Sequence, residues 1–376
     1  MDRAVYLDYN ATAPARPAVI AAMARALALC GNPSSVHQFG RTARRQVEEA
    51  RERVAALVHA RPEQVTFTSG GTEANNLALT GTGRDRLVLS AIEHDSVLRA
   101  APEAEILPVS TDGIVDLAAL AEGLGRDPRP ALLSVMLANN ETGVIQPVAE
   151  AAEIARAHGA LLHCDAVQAA GKVPLDITAL GVDLLSLSAH KLGGPQGIGA
   201  LVVGDDLALR PLLRGGGQER SRRAGTENVA AIVGFGVAAE EAAAELPAQG
   251  RIAQLRDRLE RRVRETAPEA RVFGAASPRL PNTSCFAWAG MPSETQVMAL
   301  DLAGIAVSAG SACSSGKVRA SHVLRAMGAT VEEAGSAIRV SLGWRSTEVD
   351  IDRFIEAWSG LVTQRPNHRS DRSSAA

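Results

Sequence analysis

The mostly apolar run 182–187 ends in Ser188-Ala189-His190-Lys191 and then breaks into Leu192-Gly193-Gly194-Pro195. Such a run reads as a buried strand. A lysine just past its end lies where open α/β sheets bind their ligands. A lysine drawn out of water there loses part of its charge and becomes a usable amine nucleophile. Upstream, Leu161-Leu162-His163-Cys164-Asp165 is a second apolar strand, and it ends in a carboxylate. One lysine for a Schiff base and one carboxylate for a pyridinium nitrogen are the two groups that pyridoxal phosphate asks of a protein. Taken singly, Lys191 is as well read as a solvated loop residue and Asp165 as a helix cap. Together they point to that cofactor.

A third stretch supports the pairing. The β-branched run Val65-Thr66-Phe67-Thr68 leads into Ser69-Gly70-Gly71-Thr72-Glu73-Ala74-Asn75-Asn76 and an apolar helical run. A strand, a glycine turn and a helix N-terminus offer free N–H groups and a dipole to an anion, with the Thr72 hydroxyl added. On its own this stretch is better read as an ordinary glycine turn with a threonine cap.

Elsewhere, polar residues interrupt apolar strands. Leu87-Val88-Leu89-Ser90 leads to Glu93-His94-Asp95-Ser96, where His94 could cap a helix, bind a metal or stack on a planar ring. The strand 132–137 ends in Asn139-Asn140-Glu141-Thr142-Gly143, a site-like sequence. Gln168 follows Asp165 by one turn, close enough to face the same ligand. Alternation along the strand sends Cys164 away from the face of its neighbours, so no metal is expected at 163–165. The glycine- and arginine-rich segment 214–228 suits a phosphate or an intersubunit contact, or is simply a solvated loop. Cys313, among serines and glycines in 308–317, reads as exposed and reactive. Arg339 interrupts the apolar strand 338–342 and calls for an anion, either a substrate carboxylate or a structural ion pair.

Bulk properties narrow the class. The chain of 376 residues is long enough for two domains, and its hydrophobic fraction of 46% contains only 3% aromatics, so its core is built from Ala, Val, Leu and Ile. A net charge of −3 gives no reason to expect nucleic acid or an anionic membrane as partner. No apolar run reaches the roughly 18 residues of a membrane span, and no signal pattern opens the chain, so a cytoplasmic protein is expected. Cys30, Cys164, Cys285 and Cys313 show neither a disulfide framework nor CxxC spacing. Helices are expected at 17–29, 38–60 and 148–158, and through most of 229–267, with an interruption near Pro247 and Gly250.

With these motifs in order, the chain resembles the cysteine desulfurases, the NifS/IscS-type members of the class-V aminotransferase group. The resemblance runs over residues 5–360 and rests on YLDYNAT, GNPSSVH, SGGTEANN, EHDSV, NNETG, HCDAVQ, SLSAHK, GGGQERSRRAGTEN, SAGSACSSG and IRVSLG. It implies an α/β protein of the pyridoxal-phosphate fold type I. A large domain (15–250) would carry a mainly parallel seven-stranded sheet. A smaller α+β domain would combine 1–14 with 251–365, and a disordered tail would follow from 366. It also implies roles. Lys191 would anchor the cofactor covalently and move the substrate Cα proton, and Asp165 would pair with the ring nitrogen. His94 would stack on the ring, with Asn140 and Gln168 at the ring hydroxyl. Gly71, Thr72, Ser188 and His190 would hold the phosphate, joined by Thr226 from the partner subunit of a homodimer. Arg339 with Asn32 would bind the carboxylate of L-cysteine, and Cys313 would take the sulfur as a persulfide for an acceptor protein in iron–sulfur assembly or tRNA thiolation. Gln196 departs from the lysine common in relatives, which alters charge near the site more than chemistry. The long stretch from Cys313 to His322 weighs against a selenocysteine lyase. A class-V aminotransferase, which needs no Cys313, is the main rival. A bare sulfur carrier is the other, and it would need neither Lys191 nor Asp165.

Overall fold

The computed structural model describes residues 4–205, 207–310 and 320–363. Cys313 and the expected tail therefore lie outside the described residues. The strands, in chain order, are β1 (Val5–Tyr6), β2 (Val65–Thr68), β3 (Arg86–Ser90), β4 (Glu105–Leu107), β5 (Ala131–Ser134), β6 (Leu161–Asp165), β7 (Leu184–Ser188), β8 (Gly199–Val203), β9 (Arg271–Val272), β10 (Thr283–Ala287), β11 (Ile305–Ala306), β12 (Ser308–Ala309) and β13 (Ala337–Ser341). Seven of them form one sheet in the order β2-β8-β7-β6-β5-β3-β4. Neighbours pair in parallel except β8, which is antiparallel to both β2 and β7. Strands β5 to β7 are buried almost throughout, as parallel strands covered by helices on both faces must be. The expected mainly parallel, seven-stranded α/β architecture is the one observed.

A second sheet, β12-β13-β10-β9, is antiparallel, and β1 pairs in parallel with β11 beside it. The first residues of the chain thus add to its last third. Leu7 donates from its N–H to the Ala306 carbonyl, and Ser341 returns a bond to the Leu7 carbonyl. This unit has its own core around Trp288, Phe286, Phe354 and Trp358. The larger core lies on the seven-stranded sheet and is largely alanine, valine and leucine.

Helix Gln38–Leu57 stops short of the expected residue 60. His59 takes a left-handed φ of 53°, and the chain must be extended before Pro62. Helix Gln38–Leu57 and helix Pro17–Leu27 both pack on helix Val229–Glu245. Small residues make that approach close: a Cβ on Gly236 would stand 2.7 Å from the Ala50 Cα. The interruption expected near Pro247 is a 3-10 turn, Leu246–Ala248, before helix Gln249–Thr266.

Strand β2 is an edge, and an edge needs cover. Arg51, from helix Gln38–Leu57, donates to the Val65 carbonyl and forks onto both carboxylate oxygens of Glu219 at 2.7 and 2.9 Å. Glu219 in turn accepts the Phe67 N–H at 2.8 Å. Both side chains are buried. Burial pulls the Arg51 pKa down, but the Glu219 hydrogen bonds and charge outweigh it and leave it raised. The pair holds Glu219, Arg220 and Ser221 at φ of 46°, 55° and 65°. Left-handed residues without glycine cost about 1–3 kcal/mol each and persist only where their surroundings over-determine them. Replacing Glu219 by alanine leaves the buried Arg51 with only the more exposed Glu48 as carboxylate partner and frees the β2 edge. The variant is expected to lose about 3–5 kcal/mol of stability in urea unfolding.

Candidate active site

Beyond the carboxyl ends of β5, β6 and β7, a cavity of about 320 Å³ opens between the large sheet and the antiparallel unit. The expected residues Gly71, Thr72, His94, Asn140, Asp165, Gln168, Ser188, His190, Lys191 and Arg339 all line it. So do Asn10, Ala11, Asn75, Ser96, Met136, Ala138 and Val167, none of which the sequence singled out as site residues. Asn32 and Thr226 do not. Asn32 is exposed in the turn between the first two helices, where its Oδ1 accepts the Ser34 N–H. Thr226 is exposed in the loop before helix Val229–Glu245.

Asp165 closes β6, and its two oxygens are spoken for on the protein side. Oδ2 accepts from Asn75 Nδ2 at 2.7 Å and Oδ1 from the Val167 N–H at 2.9 Å. These two donors fix the orientation of the carboxyl group. Behind it a polar row crosses three strands: Ser134 Oγ meets His163 Nδ1, and His163 Nε2 meets Ser186 Oγ, each at 2.9 Å. Burial lowers the His163 pKa to about 4, so its ring is neutral. Cys164 points the other way, into the apolar core, as strand alternation requires. Burial, then the Asp165 and Glu93 charges, push its thiol pKa up.

Lys191 follows β7 on a short 3-10 turn and is half-buried. Its Nζ donates to the backbone carbonyls of Asn10 at 2.5 Å and Ala11 at 2.8 Å. The N-terminal segment therefore holds the amine that the large sheet presents. His94 is both cap and wall. Its Nδ1 accepts the Ser96 N–H at 3.1 Å, which places the proton of the neutral ring on Nε2. Burial lowers the pKa of His94, and the Asp165 charge only partly opposes this. Burial, then the Lys191 and Lys172 charges, take His190 down to about 4.

Gly71 opens the helix Gly71–Gly81 against the cavity, and a Cβ there would come within 2.9 Å of Val167. The helix N-terminus can thus approach a ligand with its backbone N–H groups. Glu73, in the first turn, is tied to Arg223 of the arginine-rich loop at 2.9 Å. Arg339 makes the structural ion pair, one of the two partners that the sequence left open. Its Nη2 pairs with Asp8 Oδ1 at 2.7 Å and its Nη1 donates to the Asn140 carbonyl at 3.1 Å. Yet it faces the cavity, and its buried Nε has no hydrogen-bond partner among the described residues. An amine, a donor-held carboxylate, a helix N-terminus without a side-chain cap and an arginine with donor capacity to spare fit pyridoxal phosphate with an amino-acid substrate. No group of three His, Cys, Asp or Glu side chains that could hold a metal is found among the described residues.

Fold and cavity together define a pyridoxal-phosphate enzyme of fold type I, and comparison narrows the class. The aminotransferase class-V family model matches residues 5–354. Cysteine desulfurase IscS of Dictyoglomus turgidum is 42% identical, covering 96% of this chain and 95% of its own. A cysteine desulfurase of Cereibacter sphaeroides is 45% identical, over 96% of each chain. The X-ray structure of a NifS-like protein from Rickettsia africae superposes with a TM-score of 0.90 at 36% identity, over 96% of this chain and all of that one. The chain belongs to the class-V aminotransferase family, among its cysteine desulfurase members.

Glu93, next to His94, is fully buried. Its Oε1 accepts from Ser90 Oγ at 2.7 Å and from the Met136 N–H at 2.6 Å. Burial, with the Asp165 charge, raises its pKa from 4.5 to about 8, so it is mostly protonated at neutral pH. The folded state then binds this proton more tightly than the unfolded chain does. Stability contributed by Glu93 is present below about pH 4.5 and drains away as pH rises toward 8. Glu93→Gln is expected to reduce that downward slope by up to about 1.4 kcal/mol per pH unit. Unfolding free energies between pH 5 and 8 measure it.

Proposed function

We propose that this protein is a cysteine desulfurase that takes sulfur from L-cysteine, releases L-alanine and stores the sulfur as a persulfide on Cys313. The observation that carries the reading is the placement of Lys191 and Asp165 at the ends of adjacent strands, facing one cavity with Arg339 across it. When bound, the cofactor supplies an electron sink for charge developing at the substrate Cα.

The residues divide the remaining work. Asp165, fixed by Asn75 and Val167, presents its carboxyl group where it can pair with a pyridinium nitrogen. Gly71, Thr72, Ser188 and His190 form the anion end of the cavity, continuous with a second hollow that also includes Gln196. His94 presents its Nε2–H side with the imidazole neutral. Arg339 binds the substrate carboxylate, and its ties to Asp8 and Asn140 hold the guanidinium in place. Lys191 would hold the cofactor and, as an amine beside the substrate, move the Cα proton. The Cys313 thiolate then attacks the substrate sulfur: the C–S bond breaks, an S–S bond forms, and the carbon skeleton leaves as alanine after taking up a proton.

The active form is a homodimer in which Thr226 reaches the partner's phosphate site. Its exposure in this chain and the exposed Ile20, Leu27, Val36 and Phe39 support that arrangement. The persulfide passes to an acceptor protein of iron–sulfur assembly or tRNA thiolation. A reducing, cytoplasmic setting agrees with the free thiols of Cys30, Cys164 and Cys285. Among the described residues, no helix is long and apolar enough to cross a membrane.

Two variants test the assignment. With L-cysteine and a reductant, the wild type is expected to make alanine and sulfide in equal amounts. Cys313→Ala should keep the cofactor absorbance and lose sulfide production. Normal turnover by that variant would move the aminotransferase reading to first place. Lys191→Ala should lose the visible absorbance of the covalently held cofactor and drop turnover by at least about 10³-fold.

A further inference from the structure

Lys172, seven residues after Asp165, lies behind the active-site wall. It shares a small second cavity with Lys191, lined also by Tyr9, Arg16, Glu245 and Asn282. Its Nζ donates to Gln168 Oε1 at 2.9 Å and to Asn10 Oδ1 at 3.3 Å. Both acceptors belong to cavity-lining residues, and Asn10 also receives Lys191 on its backbone carbonyl. Among the described residues no carboxylate pairs with Lys172. Glu245, the only acidic residue on that small cavity, is taken by Arg16 at 2.7 Å. The other charged or titratable groups acting on Lys172 are cations or potential cations: Lys191, Arg339 and His190. Burial, then the Lys191 and Arg339 charges, bring its pKa down to about 7.

Partial burial without an anion costs this lysine desolvation, and what it serves are its two acceptors. Here the service is geometric. A protonated lysine can only donate, so Gln168 turns its Oε1 toward it. That fixes the amide: Nε2 then faces the other way, gives one N–H to the Asn10 carbonyl at 3.0 Å and keeps a second.

We propose that Lys172 is a positioning residue for the desulfurase reaction: by holding Gln168 Oε1 it aims the Gln168 amide nitrogen at the ring hydroxyl side of the bound cofactor, and it adds a cation behind that side. The inference rests on the reading of Lys191 as the cofactor lysine and of Gln168 as its ring-hydroxyl contact. A cation and a fixed donor on this side both favour a deprotonated ring oxygen, and both disfavour a further positive charge on the nitrogen that links Lys191 to the cofactor.

The test is a double-mutant cycle on holoenzyme with Lys172→Met, Gln168→Ala and the pair. The readouts are the pH midpoint of the visible absorbance change and kcat/KM for L-cysteine. Lys172→Met is expected to raise the midpoint by about one pH unit and to lower kcat/KM about tenfold. In the Gln168→Ala background the same change should do much less to kcat/KM, because its partner is already gone. Lys172→Gln, which keeps an N–H donor without the charge, should recover part of the kcat/KM loss and little of the midpoint shift. It also serves if the methionine variant does not fold. A wild-type midpoint in Lys172→Met, or effects that simply add in the double variant, would overturn the proposal. A wild-type protein lacking any visible cofactor absorbance would instead overturn the Lys191 assignment beneath it.

Discussion

Asn10 is the junction on which the site depends. Its N–H goes to Ser341 Oγ, and its carbonyl accepts from both Lys191 and Gln168. Its side-chain oxygen accepts from Lys172 and Asn282, and its amide nitrogen donates to the Asn140 carbonyl and to Thr283 Oγ1. The residue is almost fully buried, so each of these bonds replaces water that cannot enter. Through it the amine after β7, the amide after β6, the turn after β5 and two strands of the antiparallel unit share one reference point. Asp8, two residues earlier, adds the ion pair to Arg339. The short N-terminal segment is thus the seam that aligns the cofactor side of the cavity with the substrate side.

Around that seam the ionisable groups follow one rule. Burial is the first cause of the depressed pKa of His94, His163, His190 and Lys172, and of the raised pKa of Glu93 and Glu141. Burial presses these groups toward their neutral forms, and the charges that remain act through a medium that screens them weakly. Asp165 and Arg339 are each held by partners on the protein side. The antiparallel unit is tied to the same shell: Ser321 donates to Glu141, beside Asn140, and His322 meets the Glu93 carbonyl, beside His94.

Much of this was legible in the chain. Apolar strands that end in polar residues mark the carboxyl edge of a parallel sheet, and that edge is where such sheets bind. Lys191, Asp165, His94 and Asn140 could be picked out because each interrupts a strong local pattern. Asn10, Asn75 and Lys172 could not, since each sits in a stretch that also makes good local sense as turn, helix surface or loop. Their partners lie far away in sequence: Asn10 meets Ser341 across 331 positions and Gln168 across 158. The dual use of Arg339 shows the same limit. An arginine in an apolar strand announces an anion, but only the fold shows that Asp8 takes one arm while Nε is left over.

The sequence by itself determined the strand and helix pattern, the class of cofactor chemistry and the family, because these rest on local periodicity, on residue types that few reactions need, and on motif order. The tertiary structure decided which polar groups face one another: the Asn10 junction, the Gln168 amide held by Lys172, and the Arg51–Glu219 clamp on the sheet edge. Hydrogen bonding is directional and short-ranged, so a partner hundreds of residues away leaves no periodic trace. Only the folded chain brings the two within 3 Å.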